Sequence, residues 1–214
     1  IMVDLSVVII NWNQKELLGE CLSSIMRETT EISYEIWVVD NGSRDGSVAS
    51  IREKFPSVHL IENAENLGFG RANNLAFPKT RGDYVLLFNN DARLPLNSHA
   101  FDRIVEYLRA HPEIDIAGPK IMSPDGVVDT TCCPINLATQ FLWEIAPPLK
   151  PFYRLWWNGR FGRATTPQKT EGLMGACIFI KKSVLEDVGY FDEQYFLYAE
   201  ETDWCKRAHQ KGYA

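Results

Sequence analysis

The stretch LSVVIINWNQ, residues 5–14, passes from an apolar run directly into polar sequence. Its apolar part is rich in Val and Ile and too short for a helix, which is typical of a strand buried on both faces. Three further apolar runs, at residues 35–39, 58–61 and 84–88, have the same character. The polar sequences that follow the four runs are NWNQ at 11–14, DNGSRDGS at 40–47, ENAENLGFG at 62–70 and NNDA at 89–92.

Amphipathic stretches lie between and after these predicted strands. Two of them place apolar residues on one helical stripe: Leu17, Leu18, Cys21, Leu22 and Ile25 in the first, and Phe101, Ile104, Val105 and Leu108 in the second. Alternating strands and helices predict an α/β fold, a single domain with a mainly parallel central sheet flanked by helices. Such sheets bind ligands at the carboxyl ends of their strands, so a nucleotide-sized site is expected there.

Length and composition limit the function classes. The 214 residues, 45% of them hydrophobic, suffice for one sizeable core. With 22 Lys and Arg against 28 Asp and Glu, the net charge of -6 gives no reason to expect nucleic acid as a partner. No apolar run reaches about 18 residues and no secretory signal opens the chain, which predicts a soluble, cytoplasmic protein without a transmembrane segment. Five cysteines without a C-x-x-C pair indicate free thiols.

The second half is less regular. Residues 146–170 combine prolines with five aromatic residues and show no clean period, which predicts a long loop. Its aromatics either pack as a lid onto the domain or form a platform for an acceptor sugar. Order returns with a strand at residues 176–180, followed by Ser183 as a helix N-cap with Glu186 in a capping box. A last helix is predicted to start near Glu201 and to end at the glycine of KGYA.

Asp40 is the first candidate for a site, because it follows the apolar run IWVV directly. A carboxylate at the end of a strand, before the turn sequence NGS at 41–43, can accept hydrogen bonds from a nucleobase edge or a ribose. The alternative is an Asx turn that closes onto the next helix through Asp45 and Ser47.

The sequence NLGFGRANN at 66–74 resembles a dinucleotide fingerprint only superficially. It lacks the third glycine and does not follow the first strand. Arg71 and Asn74 can instead face a diphosphate, although an Arg at a helix start is also common as simple surface decoration.

Asp91, in FNNDA at 88–92, follows the most apolar run, YVLLF. A charge there is costly unless a cation or a donor meets it. A divalent ion with oxygen ligands, Mg²⁺ or Mn²⁺, suits a single carboxylate that shares the ion with substrate phosphates. The alternative is a helix-capping Asp.

Three acids cluster in FLYAEETDWCKR at 196–207: Glu200, Glu201 and Asp203. Acidic residues in the first turn of a helix favour its dipole, which is a purely structural explanation. Their position directly after an aromatic run also fits a general base, because a carboxylate beside apolar walls can take the proton of an acceptor hydroxyl.

Six motifs in order carry a resemblance to a known family: SVVIINWNQ, DNGSRDGS, NLGFGRANN, LLFNNDA, EGLMGACIFIKKSVLEDVGYFDE and FLYAEETDWCKR. Together they resemble the family 2 glycosyltransferases, especially the rhamnosyltransferase-like branch, and they span most of the chain. The resemblance implies a GT-A, Rossmann-like fold. It also implies inverting transfer of a sugar from a nucleoside diphosphate to an acceptor hydroxyl, in the synthesis of cell-surface polysaccharide or another glycan.

The resemblance further implies the roles of single residues. Asp40 would contact the nucleobase, Asp91 would bind Mg²⁺ or Mn²⁺, and Glu201 would be the catalytic base, with Glu200 and Asp203 beside it. The residues expected around the nucleotide sugar are Asn11, Asn13, Asp40, Asn41, Gly68, Arg71, Asn74 and Asn90.

The chain departs from the family pattern in three places. Asn89 replaces the first acid of the DXD motif, which argues against direct metal binding by that residue. Glu201 replaces the usual Asp, and its extra methylene moves the carboxylate by about 1.5 Å. A metal-binding His is expected shortly after the segment that resembles HQKGYA, and since the sequence ends at Ala214 we expect a truncated chain.

The sequence-based hypothesis divides the GT-A domain into a nucleotide-sugar-binding half, residues 1–118, and an acceptor and catalytic half, residues 119–214. The expected partners are a UDP- or dTDP-linked sugar and a glycan or glycolipid acceptor, at a location either free in the cytoplasm or at the inner face of the cell membrane. A non-catalytic domain that binds a sugar nucleotide or a glycan on the same fold is the alternative. A nucleotidyltransferase would need a Gly-rich basic loop after the first strand, and NWNQKELL offers none.

Overall fold

The four apolar runs form the four parallel strands of the central sheet. The computed structural model describes residues 2–123, 126, 128–129, 132–133 and 164–214. Most of the aromatic stretch at 146–170 lies outside the described residues, so the choice between a lid and an acceptor platform stays open. The elements in chain order are β1 (Val3–Asn11), α1 (Lys15–Glu28), β2 (Tyr34–Asp40), α2 (Ser47–Lys54), β3 (His59–Glu62), α3 (Phe69–Ala76), a 3₁₀ turn (Phe77–Lys79), β4 (Gly82–Phe88), α4 (Ala100–Ala110), β5 (Ile116–Ala117), β6 (Ile121–Met122), β7 (Val128–Asp129), β8 (Cys132–Cys133), β9 (Gly172–Leu173), β10 (Cys177–Lys181), α5 (Lys182–Val188) and α6 (Glu200–Gln210).

The central sheet has six strands in the order β3-β2-β1-β4-β10-β5. Strand β1 pairs parallel to β2 and β4, and β2 pairs parallel to β3, whereas β10 runs antiparallel to β4 and β5. The predicted mainly parallel sheet is therefore confirmed. In the register, Asn11 lies opposite Asp40, and Asp40 lies opposite Glu62. The polar ends of these strands consequently meet at one edge.

Both faces of the sheet are covered by helices, which explains why the strands read as continuous apolar runs. Alternate residues of β1 point to opposite sides. Leu5, Val7 and Ile9 join a core cluster with α1 and α4, and Val8 joins a second cluster on the other face. That second cluster includes buried residues of α3, α5 and α6, among them Trp204. No helix within the described ranges is long and apolar enough to cross a lipid bilayer.

The prediction that Ser183 caps a helix is wrong. Helix α5 begins at Lys182 with Lys181 at the N-cap, so Ser183 lies inside the first turn. Glu186 lies 3.9 Å from the Lys182 ammonium, an i,i+4 pair, instead of serving a capping box. Helix α6 begins at Glu200, one position before the predicted start, and the left-handed Gly212 follows its end, as predicted.

Candidate active site

The carboxyl ends of β1, β2 and β4 are joined by a chain of side-chain hydrogen bonds. The Nδ2 atom of Asn11 donates to Oδ1 of Asp40 at 2.9 Å, and Nδ2 of Asn90 donates to Oδ1 of Asn11 at 2.9 Å. Asn11 is fully buried, so these bonds satisfy amide groups that water cannot reach. The structure thus brings together three residues that the sequence predicted for the nucleotide site.

Asp40 closes the turn that follows β2. Its side chain is 1% exposed, and Oδ2 accepts a hydrogen bond from the backbone N–H of Ser43 at 2.8 Å. Asp45 makes the other predicted turn, since its Oδ1 accepts from the Ser47 N–H at 3.0 Å. The Asx-turn geometry is therefore present. A contact between Asp40 and a nucleobase stays a prediction, for which each carboxylate oxygen retains a second lone pair.

Asn13 ties the turn after β1 to the turn after β2. It adopts a left-handed conformation with φ of 53°, and its Oδ1 accepts from the Arg44 N–H at 2.7 Å. The hydroxyl of Ser43 accepts both from the Asn13 N–H at 2.8 Å and from Asn11 Nδ2 at 3.2 Å. Ser43 was not among the predicted site residues. Its place in the polar run after β2 was visible in the sequence, but its partners on the neighbouring strand were not.

Asn41 and Gly68 connect the turn after β2 with the loop that precedes α3. The Asn41 Nδ2 donates to the Gly68 carbonyl and to Oδ1 of Asn66, both at 3.1 Å. Asn66 Oδ1 also accepts from the Gly68 N–H at 2.9 Å. Asn41 is buried, so the hydrogen bonds of Asn41 and Gly68 serve to hold the two loops together. Asn66 belongs to the same network and was not among the residues predicted from the sequence.

Arg71 and Asn74 on α3 are both directed toward residues 191–193. Asn74 forms two hydrogen bonds with the backbone of Phe191, donating to its carbonyl at 2.9 Å and accepting from its N–H at 3.0 Å, and it donates to Oε1 of Glu193 at 3.3 Å. Arg71 Nε donates to the Glu193 carbonyl at 3.2 Å, and its side chain stays 54% exposed. The geometry favours a structural role for Asn74, because its amide hydrogens are already engaged. A diphosphate contact by Arg71 stays a prediction.

Asp91 lies just beyond the end of β4 with an exposed carboxylate. Within the part of the chain that the structure describes, this carboxylate has no hydrogen bond and no ion pair. The helix-capping alternative is wrong, because the next helix, α4, begins only at Ala100 and has His99 at its N-cap. No group of three or more Asp, Glu, His or Cys side chains that would hold a metal ion occurs among the described residues. A single unpaired carboxylate fits a hard divalent ion whose other ligands come from substrate oxygens.

The three acids of α6 occupy different environments. Glu200 is 2% exposed, and one carboxylate oxygen, Oε2, has no hydrogen-bond partner among the described residues. Burial raises the pKa of the Glu200 carboxyl, and the neighbouring charge of Glu201 raises it further. Asp203 accepts from Nε of Arg207 at 2.9 Å, and Arg207 in turn donates to the carbonyls of Val188 and Tyr190. Asp203 therefore anchors the helix.

Glu201 is partly exposed and has no basic partner among the described residues. Its Oε1 accepts a long hydrogen bond, 3.4 Å, from the backbone N–H of Gly175. The next residue, Ala176, accepts from the Asn89 N–H at 3.1 Å. Glu201 and Asn89 thus contact one short segment, residues 175–176, from the α6 side and from the β4 side. Of the three acids, Glu201 alone is both partly exposed and without a basic partner among the described residues.

A mainly parallel sheet covered on both faces, with amide and carboxylate groups at its carboxyl edge, is the GT-A arrangement of glycosyltransferases. The family model described as "Glycosyl transferase family 2" matches residues 6–189. The chain therefore belongs to glycosyl transferase family 2, which confirms the family and the class that the sequence motifs predicted.

Relatives and solved structures of this class resemble the chain along its length. N-acetylglucosaminyl-diphospho-decaprenol L-rhamnosyltransferase of Mycobacterium tuberculosis is 27% identical over 222 residues, which cover 98% of this chain and 71% of the relative. Mannosyltransferase PcManGT from Pyrobaculum calidifontis, solved in complex with GDP-Man and Mn²⁺, has a TM-score of 0.69 at 21% identity. TarS 1-349 of S. aureus, solved in complex with UDP, has a TM-score of 0.65 at 16% identity. These structures confirm the GT-A fold.

The match to the mannosyltransferase covers 100% of this chain and 54% of the mannosyltransferase chain. For TarS 1-349 the match covers 96% of this chain and 54% of that chain. The chain thus corresponds to about half the length of these solved structures.

Proposed function

We propose that the chain is an inverting glycosyltransferase, which moves a sugar from a nucleoside diphosphate to an acceptor hydroxyl in the synthesis of a cell-surface glycan. The observation that carries the proposal is the placement of Glu201. Its partly exposed carboxylate, which has no basic partner among the described residues, contacts Gly175, and Asn89 just beyond β4 contacts the next residue, Ala176. The family match ends at residue 189, so the role of Glu201 rests on this geometry and on the motif that surrounds it.

The donor would lie at the carboxyl ends of β1 and β2. Asp40 is held by Asn11 and Ser43, and we assign it as the hydrogen-bond acceptor for the nucleobase or the ribose. A fixed carboxylate at a strand end is suited to such a contact. The UDP bound by TarS supports a donor sugar linked to a pyrimidine nucleotide, either UDP or dTDP. The GDP-Man bound by the mannosyltransferase means that proteins of this fold also bind purine nucleotides.

Asp91 is the residue we assign to a divalent ion, Mg²⁺ or Mn²⁺. The Mn²⁺ in the mannosyltransferase structure supports this assignment, as does the exposed carboxylate of Asp91, which has no partner in the part of the chain that the structure describes. When bound, such an ion offsets the negative charge that grows on a departing diphosphate. Asn89 contributes its backbone N–H to Ala176, so its contribution in this structure is to hold the segment that faces Glu201.

Glu201 would take the proton from the acceptor hydroxyl as its oxygen attacks the anomeric carbon. The N–H of Gly175 orients the carboxylate through Oε1, which leaves Oε2 for the acceptor. Buried Glu200 and the Asp203–Arg207 pair fix the first turn of α6 and keep the base in place. An attack on the face of the sugar opposite the departing diphosphate would invert the anomeric centre.

The acceptor would bind on the side of residues 119–214, and the donor on the side of residues 1–118. The name of the mycobacterial relative, which specifies a diphospho-decaprenol acceptor, supports a lipid-linked glycan and hence a location at the inner face of the membrane.

The test of the function is a screen of nucleotide sugars. A donor that binds the folded state raises its melting temperature, so UDP-, dTDP- and GDP-linked sugars are compared with and without Mn²⁺. The stabilising donor is then incubated with lipid-linked glycan acceptors, and the stereochemistry of the product is read by NMR. Transfer with inversion is the expected result. Stabilisation by a donor without hydrolysis or transfer would instead favour the non-catalytic sugar-nucleotide-binding alternative.

Asp40→Ala is expected to weaken the binding of free nucleoside diphosphate by about 1–3 kcal/mol, because a charged hydrogen bond to the nucleoside is lost. The measurement is isothermal titration calorimetry. Asp45→Ala is the matched control, because it removes another turn-closing carboxylate from the same loop. Equal losses in both variants would mean that the turn, and not a contact with the nucleoside, sets the affinity.

A further inference from the structure

Gly68 has a backbone conformation that other residues adopt only with strain, and the space beside it leaves no room for a side chain. Its φ of 83° and ψ of -179° lie in a region that is essentially limited to glycine. A Cβ atom built on Gly68 would lie 2.2 Å from the carbonyl oxygen of Phe196. The backbone of the segment before α6 therefore packs directly on the Gly68 backbone.

Phe69 makes two contacts with the same region. Its backbone N–H donates to the Phe196 carbonyl at 2.9 Å. Its ring atoms lie 3.5 Å from where a Cβ of Gly175 would be, and Cδ of Glu201 lies 3.7 Å from that position. The Phe69 ring and the Glu201 carboxylate thus flank the same glycine, whose N–H binds Glu201.

Among the described residues, the segment that leads into α6 has few other contacts that hold it. Phe196, Leu197 and Tyr198 have side chains that are 60%, 52% and 77% exposed, so they contribute little buried area. Tyr198 and Ala199 both have left-handed φ values, 68° and 74°. Non-glycine residues stay in this region only where their surroundings hold them, and the contact at Phe196 lies two residues before Tyr198.

On its other side, the turn that carries Gly68 is rigid. The Asn66 side chain accepts from the Gly68 N–H, and buried Asn41 binds both the Gly68 carbonyl and Asn66. An added side chain at Gly68 is therefore expected to displace the exposed segment 196–199 and to leave the hydrogen-bonded turn unchanged.

We propose that Gly68 and Phe69 are positioning residues, which fix the start of α6 through the backbone of Phe196 and so hold Glu201 beside Gly175. The catalytic part of this inference rests on the proposed function. The mechanical part, that residues 68–69 order residues 196–201, stands on the contacts alone.

The test compares Gly68→Ala with Gly189→Ala. Gly189 has nearly the same backbone conformation, φ 84° and ψ 172°, but its Cβ would have no atom within 4 Å among the described residues. The control variant thus introduces the same backbone strain without the clash. Gly68→Ala is expected to lower kcat about tenfold to a hundredfold, the usual cost of displacing a catalytic group by about 1 Å. Its Kd for nucleoside diphosphate should stay within about threefold of the parent, and Gly189→Ala should keep the parent kcat.

Hydrogen exchange, read by mass spectrometry, separates the two parts of the inference. Faster exchange at residues 196–203 in Gly68→Ala, but not in Gly189→Ala, is expected because the segment loses its anchor. Unchanged exchange there would overturn the inference whether or not the parent transfers sugar. Faster exchange with an unchanged kcat would overturn the positioning of Glu201. A parent that transfers no sugar would refute the proposed function, while the exchange result would still decide the mechanical part.

Phe69→Leu is the second variant, in case Gly68→Ala does not fold. It keeps the backbone N–H that binds Phe196 and replaces the ring that packs on Gly175 with a smaller aliphatic side chain. A lower kcat with an unchanged nucleoside diphosphate Kd is expected here too. A variant with the parent kcat would contradict the role of Phe69.

Discussion

Replacing Glu201 by Gln is expected to lower kcat about 10²–10⁴-fold and to leave the Kd for nucleoside diphosphate almost unchanged, because a positioned base acts in the transition state. Gln has nearly the same shape and can still accept the hydrogen bond from the Gly175 N–H. It cannot take a proton at neutral pH. The measurement pairs single-turnover sugar transfer with calorimetry of the nucleotide.

The two neighbouring acids provide the controls. Asp203→Asn weakens the pair with Arg207, which ties α6 to residues 188 and 190. Its main expected effect is therefore a lower melting temperature, with a smaller effect on kcat. Glu200→Gln is expected to be tolerated, because burial already raises the pKa of Glu200 and favours its neutral form. If either variant loses far more turnover than Glu201→Gln, the base has been assigned to the wrong carboxylate. Full activity of Glu201→Gln would end the general-base assignment.

Glu201→Asp tests whether the longer side chain matters. It restores the residue that the family motif usually has, but it withdraws the carboxylate by about 1.5 Å. A drop nearly as large as that of Glu201→Gln would mean that the site around Gly175 is adapted to Glu. Activity equal to the parent would mean that the site accepts both lengths.

The fold could be predicted because its signals are local and repeated. Each buried parallel strand is a short apolar run, and each amphipathic helix shows its own stripe, so β1 to β4, α1 and α4 were all visible. The antiparallel direction of β10 was not, since an apolar run of five residues carries no information about strand direction. The capping box at Ser183 failed because β10 passes into α5 without an intervening residue, which leaves no room for a separate cap.

The candidate site residues were selected from the sequence by residue type and by position after a strand, and not by their contacts. The sequence placed Asn11, Asp40 and Asn90 at strand ends, and the parallel register then brought them together. It could not show that Asn74 binds the backbone of Phe191, or that Gly68 makes room for Phe196, because these partners are more than a hundred residues away in the chain. Polar residues in a loop look alike in sequence whether they bind a ligand or another loop.

Asp91→Asn is expected to remove the metal dependence of nucleoside diphosphate binding and to lower turnover on the order of 10²–10³-fold, the usual cost of losing one group that stabilises developing charge. An amide oxygen binds a hard divalent ion more weakly than a carboxylate. The exposed position of Asp91, without a hydrogen bond among the described residues, means that the substitution should not change the melting temperature. Calorimetry of nucleoside diphosphate with Mn²⁺, and again with a chelator, measures the effect directly.

Two further variants sharpen this test of the metal site. Asp83→Asn removes the same charge from an exposed position near the other end of β4, so it controls for net charge and should bind nucleotide like the parent. Asn89→Asp restores the first acid of the DXD motif and is expected to lower the Mn²⁺ concentration needed for half-maximal nucleotide binding, because a second carboxylate then lies on the same strand end. Equal metal-dependent affinity in Asp91→Asn and the parent would remove Asp91 from the metal site. A gain in Asn89→Asp that disappears when Asp91→Asn is added to it would show that both positions serve one ion.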